Sequence, residues 1–228
     1  MPIILQLETS TDVCSVAISK DGKLIKIAES QVLNSHSEVI TLLIQSCLKE
    51  SDLLISQIDA IAISDGPGSY TSLRVGAATA KGLCYGLNIP MIAIDSLQIL
   101  AAGISQDYIA DEDVIIPMID ARRLEVYTAI FDKRLVKILD TQAHILSENS
   151  LQELTLASKI HLCGSGASKF IENYPSEKLT LHHIKTSSTY MSSLAVEKYL
   201  MNEFVDIAYY VPNYFKAPNI TKSNKNLF

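Results

Sequence analysis

The pattern that most limits how this chain can fold is an internal repeat. Ile3–Glu8 is a short apolar run ending on an acid, and residues 13–19 and 23–28 follow as two more strand-like segments parted by turn residues such as Asp21-Gly22. Residues 115–120, 125–131 and 134–139 repeat the series. At an offset of 112 residues Ile4 falls on Ile116, Leu7 on Ile119, Glu8 on Asp120, Ala17 on Ala129 and Ile18 on Ile130. At 111, residues 24–27 fall on 135–138. Common residues in two β-rich stretches can match by chance, but an acid closing both first strands favours duplication.

Each half then alternates helix with strand. The first half predicts a helix over 36–49, a strand over 58–64, a helix over 71–87 and a strand over 91–94. In the second, Ser150 and Glu153 form a capping box opening a helix to about residue 157. A strand over 160–163, a short helix over 167–173 and a long one over 190–204 follow. The fold class is therefore α/β, with two lobes that each hold a mixed sheet and crossover helices. The expected division is a first lobe over 1–103, a shortened second lobe over 104–211 whose last helix packs back on the first, and an extension over 212–228. The polar, acidic stretch 103–113 is the boundary.

Composition narrows the function classes. With 48% hydrophobic and 19% charged residues the chain has the make-up of a globular protein rather than a disordered one. No apolar run approaches the roughly 18 residues of a membrane span, and no basic segment precedes the first strand, so the expected place is the cytoplasm, away from membranes. Acidic residues number 25 against 19 basic ones, a charge of −6 that argues against unaided RNA binding. The local exception is the tail 215–228, where Lys216, Lys222 and Lys225 stand without an acid. Cys14, Cys47, Cys84 and Cys163 form no C-x-x-C pair and read as reduced core thiols. No H-E-x-x-H or H-x-x-x-H is present, and His182 and His183, being adjacent, would point to opposite faces of a strand, so no metal site is expected.

The most informative segment is Asp65-Gly66-Pro67-Gly68-Ser69-Tyr70-Thr71-Ser72-Leu73-Arg74, which follows an apolar strand and opens a helix. Its glycines allow tight turns, and Ser69, Thr71 or Ser72 can cap the helix. Such a turn can hold an anion or be plain structure; no G-K-[ST] closes it as a phosphate loop. The following helix has small residues four apart on two stripes, Gly76 with Ala80, and Ala78 with Gly82 and Gly86. The helix before it has an apolar arc of Val39, Ile40, Leu42, Leu43, Ile44, Cys47 and Leu48, wider than one sheet face needs. That arc is either sandwiched within the fold or turned to another chain. Glu8-Thr9-Ser10 and Asp120-Ala121-Arg122 end related strands, where a duplicated fold can bind a nucleotide across its cleft.

The run Gly66–Gly76 with Ala80-Lys81-Gly82-Leu83 resembles the signature of the TsaB (YeaZ) family of bacterial tRNA-modification proteins. Glu8-Thr9-Ser10-Thr11, Asn34-Ser35-His36-Ser37-Glu38, Asp120-Ala121-Arg122-Arg123 and Gly164-Ser165-Gly166-Ala167 are similar to further family landmarks in family order. Pro212-Asn213-Tyr214-Phe215-Lys216 carries Phe-Lys where the family has Leu-Arg, and Glu8 stands where many members have aspartate. The resemblance implies the duplicated actin-like ATPase fold of acetate and sugar kinases and a non-catalytic role. The chain would support a longer paralogue, TsaD, which transfers a threonylcarbamoyl group to the adenosine after the anticodon of tRNA, with TsaE, an ATPase, joining them. Ile40 stands where the paralogue's H-x-x-x-H pair would have its second histidine after His36, so no catalytic or metal residues are expected.

On this reading His36, Val39, Ile40, Leu43 and Cys47 of one helix and Leu73, Gly76, Ala77, Ala80 and Leu83 of the next form the partner face, with homodimers when the partner is absent. No cofactor is required, while ATP or ADP with magnesium in the complex would meet Glu8, Thr9, Ser10, Gly66, Gly68, Ser69, Thr71 and Asp120. The rival readings are an independent small-molecule kinase of the same fold, a metallopeptidase, and an RNA-binding module resting on the lysine tail.

Overall fold

The structure, a computed structural model, describes residues 1–216 except 31, 33, 34, 151–156 and 158. The first half supplies β1 (Ile3–Glu8), β2 (Cys14–Lys20), β3 (Lys23–Ser30), α1 (His36–Glu50), β4 (Ala60–Ser64), α2 (Tyr70–Leu87), β5 (Met91–Ile94) and α3 (Ser96–Ala102). The second supplies β6 (Val114–Asp120), β7 (Glu125–Phe131), β8 (Lys137–Ile145), β9 (Ile160–Cys163), α4 (Ser165–Asn173), β10 (Leu179–His182) and α5 (Ser192–Leu200). The sheets run β3-β2-β1-β4-β5 and β8-β7-β6-β9-β10, the same order in both halves. In each, the first strand is antiparallel to the second and parallel to the fourth. The repeat read from the sequence is thus a repeat of topology.

β1 is buried on both faces, which explains its nearly continuous apolar run. Leu5 and Leu7 join the core under α1 and α2, while Ile4 joins Met191, Leu194 and Ala195 on the other face, where α5 packs on the first sheet. Gln6, sealed within the strand, donates from Nε2 to Ser19 Oγ at 2.6 Å. α1 turns Ile40, Ile44 and Cys47 inward, and the Cys47 thiol donates to the Val16 carbonyl at 3.2 Å. α2 turns Leu73, Ala77, Ala80 and Cys84 inward and ends at Asn88, whose left-handed backbone (φ 54°) makes the C-cap. All four cysteines are buried and free.

Three expectations shift. Residues 134–136, expected in a strand, form a turn: Leu135 has φ 61°, and Asp132 Oδ1 accepts from the Arg134 and Val136 amides, so β8 begins at Lys137. The long helix over 190–204 is a 3-10 turn at Ser188–Met191 followed by the shorter α5, because Asn202 adopts φ 56° and Val205 leaves to bridge Met91. α3 and β10 had no counterpart in the sequence reading. The helix expected over 150–157 lies, apart from Ser150 and Ala157, outside the described residues, as do Lys222 and Lys225.

Candidate functional site

The parallel strands of both sheets end at one cleft of about 980 Å³ between the lobes. Its first-lobe wall is the β1–β2 turn (Ser10, Thr11, Asp12) and the loop leading into the first turn of α2 (Gly68, Ser69, Thr71). These two segments fit against each other. The Ser69 amide donates to the Ser10 carbonyl at 2.7 Å, and a Cβ on Gly68 would stand 2.2 Å from that oxygen, so only glycine fits. Gly66 has φ 106°. Ser69, not Thr71 or Ser72, is the N-cap of α2, its Oγ accepting from the Ser72 amide. The glycine motif therefore holds the turn of the neighbouring strands in place and presents Ser69 and Thr71 at the cleft.

Glu8, Thr9 and Gly66 do not line the cleft. Glu8 is fully buried, and its Oε1 accepts from the Ser10 amide at 2.6 Å and from Ser10 Oγ at 2.5 Å. Burial pushes its carboxyl up to about 7 despite those hydrogen bonds. Asp120 does reach the cleft, but its Oδ1 accepts from the Arg122 amide and from Lys169 Nζ, both at 2.7 Å. Lys169 also donates to the Arg123 and Glu125 carbonyls and so ties down the β6–β7 turn. A magnesium nucleotide fits these residues poorly: one expected acid is sealed, the other is committed to a lysine. Among the described residues no group of three or more His, Cys, Asp or Glu stands together to hold a metal.

The second-lobe wall adds Arg122, His182, His183 and Lys185, none of which was expected as a site residue. The chain after α5 then closes one side. Tyr210 donates to Asp65 Oδ1 at 2.8 Å, the Asn213 amide to the Asp65 carbonyl at 2.7 Å, and the Tyr214 ring stands 4.6 Å from Tyr70. Phe215 then meets Tyr127 at 6.3 Å and Lys216 pairs with Glu125, so residues 210–216 strap the first lobe to the second. Pro212 is buried within this strap.

Burial divides the residues expected at the partner face. Ile40, Cys47, Leu73, Ala77 and Ala80 are core residues of the first lobe, and Gly76 is packed where a Cβ would stand 2.3 Å from Thr9 Oγ1. His36 is 5% exposed and packs inward at the start of α1. Val39, Leu43 and Leu83 are half-buried against that core. The buried members are covered by the fold itself, while Val39, Leu43 and Leu83 keep part of their surface open. The second small-residue stripe is different: Ala78 is exposed, a Cβ at Gly82 or Gly86 would meet nothing within 4 Å among the described residues, and Leu42 of α1 and Tyr85 of α2 are 59% and 83% exposed.

Residues 27–226 match the family described as TsaD, tRNA N6-adenosine threonylcarbamoyltransferase. The tRNA threonylcarbamoyladenosine biosynthesis protein TsaB of Haemophilus influenzae is 39% identical over 124 residues, 54% of this chain and 51% of that one. TsaB of Buchnera aphidicola from Acyrthosiphon pisum is 31% identical over 153 residues, 66% and 68% of the two chains. Matches to the first relatives thus span about half their length. Among solved structures, YeaZ from Pseudomonas aeruginosa superposes with a TM-score of 0.78 at 25% identity, over 94% of this chain and all of that one. The ADPNP-bound activator of 2-hydroxyisocaproyl-CoA dehydratase from Clostridium difficile shares the fold at 7% identity, with a TM-score of 0.51 over 89% and 96% of the two chains. Two lobes of one topology, the glycine loop locked to the β1–β2 turn, and these likenesses lead to one assignment: the chain belongs to the TsaB (YeaZ) family and has its duplicated actin-like fold.

Proposed function

We propose that this chain is the supporting, non-catalytic subunit of a tRNA threonylcarbamoyl transferase, docking on a TsaD-like paralogue that performs the transfer, with a TsaE-like ATPase joining the pair. Family membership supports the pathway, and one observation supports the docking role: the open stripe Ala78, Gly82, Gly86 on α2. Glycine inside a helix costs about 1 kcal/mol relative to alanine. At Gly76 close packing against Thr9 accounts for it, whereas at Gly82 and Gly86 nothing among the described residues does. A helix of another chain pressed against α1 and α2 would. The same face would carry a homodimer in the partner's absence, and tRNA would be met through the complex. The sealed Glu8 and committed Asp120 weigh against the independent kinase.

Exposed positions make the test clean. Leu42→Glu and Gly82→Glu should abolish co-purification with the TsaD-like partner and remove the stimulation of tRNA modification in a reconstituted reaction, while the circular dichroism and melting of the monomer stay near those of the parent chain. Normal pull-down by both variants would place the partner on another face.

A further inference from the structure

The second-lobe wall of the cleft holds a chain of titratable groups with no part in docking. His161 on β9 is 1% exposed and lies between Asp113, just before β6, and His182, the last residue of β10. Its Nε2 stands 3.1 Å from Asp113 Oδ2, and its Nδ1 stands 2.9 Å from His182 Nε2. Asp113 Oδ2 also accepts from the Ala110 amide at 3.1 Å. Burial alone would raise the Asp113 carboxyl, but the hydrogen bonds from His161 and Ala110 outweigh it and hold the group below the usual carboxylate range, hence ionised at neutral pH. The parallel register of β9 and β10, with Thr180 opposite His161 and His182 opposite Cys163, sets the two rings two positions apart on one face.

Proton positions follow from this order. A carboxylate only accepts, so His161 Nε2 carries hydrogen; if His161 is neutral, its Nδ1 must accept from His182 Nε2–H, which leaves His182 Nδ1 with a lone pair. That nitrogen has no partner among the described residues, and its ring lines the cleft. When one proton is added at His182 Nδ1, the shared hydrogen can shift to His161 Nδ1. The positive charge then rests on the inner ring beside Asp113, where the carboxylate compensates it. The outer ring keeps an N–H aimed from the cleft wall. One proton thus converts an acceptor at the wall into a donor.

The surroundings favour an anion. Two acids, Asp12 and Asp120, line the cleft, and Asp120 is already held by Lys169. Of the cations, Lys216 is paired with Glu125, which leaves Arg122 and Lys185 without an ion pair among the described residues. His183 follows His182 directly and Lys185 lies three residues after it, and Lys159 precedes β9 close enough to act on both His182 and Asp113. This local excess stands in a chain whose formal charge is −6. We propose that the end of β10 is a proton-coupled oxyanion subsite, in which His182, backed by His161 and Asp113, binds a tetrahedral dianion of the phosphate class together with Lys185 and takes up a proton as it does so.

Sulfate is the probe, because its charge stays fixed while the histidines titrate. Calorimetry on the full chain in buffers of different ionisation enthalpy should show sulfate binding with net proton uptake, and affinity should fall as pH rises from about 6 to about 8. His182→Gln should weaken binding at pH about 6 by about tenfold and abolish the uptake. Asp113→Asn, which keeps an acceptor but loses the charge that steadies the inner imidazolium, should retain the fold and lose the uptake near neutral pH. Competition with AMP tells a nucleotide phosphate from a free oxyanion, both covered by the proposal. No sulfate binding, binding without proton uptake, or an unchanged isotherm in His182→Gln would each overturn it. A purely structural histidine pair would alter melting and leave the proton count alone, and none of these readouts depends on a partner protein.

Discussion

Glu8 shows how one side chain can have a sequence role and a structural one that differ. Its place at the end of the first strand, matched by Asp120 in the repeat, reads as half of a ligand-binding pair. In the fold it is sealed, its carboxyl held by Ser10. The two acids diverge because Ser10 folds over one and Lys169 reaches the other. Neither cover is visible from spacing, and the same holds for Asp113, His161 and His182, which only the pairing of β6, β9 and β10 brings together. Because burial raises the Glu8 carboxyl from 4.5 to about 7, the native state keeps a proton that the unfolded chain releases first. Stability from this group is complete below about 4.5 and declines as pH rises toward 7, by on the order of 3 kcal/mol in all. Glu8→Gln should remove that decline. Melting temperatures at intervals from pH about 4 to about 8 should therefore converge for the two proteins at the acid end and favour the glutamine variant at the alkaline end; parallel curves would mean the carboxyl titrates normally.

At the scale of elements, periodicity in the sequence reported α1 and α2 well but not which side of them was covered. The apolar arc of α1 proved wide because the helix rests on β2 and β3 and also touches α2, so Ile40 and Cys47 went inward and Leu42 stayed out. α3 and β10, at seven and four residues, are too short to show a period; β10 is held by its pairing with β9, and α3 is capped by Asp95, whose Oδ1 accepts from the Leu97 amide at 2.7 Å. The two small-residue stripes of α2 looked alike in sequence and differ in surroundings. Gly76→Ala should lower stability by about 2 kcal/mol, since its Cβ would strike Thr9. Gly82→Ala should raise the stability of the isolated chain by about 0.5 to 1 kcal/mol, through helix propensity alone. Urea unfolding of the two variants checks the contrast, and a shared sign of change would contradict the different packing assigned to the stripes.

For the whole molecule, the duplicated topology was legible because each sheet repeats an acid-terminated strand and its hairpin, while the closure of the cleft was not. The stretch from Pro212, expected as an extension, is described as far as Lys216, and over those residues Pro212 is buried and the contacts reach both lobes. Tyr210 is anchored on Asp65, a carboxyl that burial raises, and burial together with that neighbouring charge in turn raises the tyrosine hydroxyl, so both groups keep their protons to higher pH than usual. Tyr214 on Tyr70 and Phe215 on Tyr127 then span the gap, each ring pair contributing about 0.5 to 1.5 kcal/mol. A core cluster in which Leu97 and Leu100 of α3 meet Ile115 of β6 and Phe131 of β7 also joins the lobes, so strap and cluster act in parallel to fix the angle between the sheets, and removing the strap should loosen the lobes without unfolding either. A chain ending at Val211 should melt several degrees lower, as expected for a loss of about 2 kcal/mol from a domain of this size. Its hydrogen exchange should rise in the loop 65–69 and in the β6–β7 turn, where the strap is seated, and stay unchanged in the buried strands β1 and β4. Equal exchange in those two loops with and without the strap would show that α3 and the core around Leu100 and Phe131 hold the lobes by themselves.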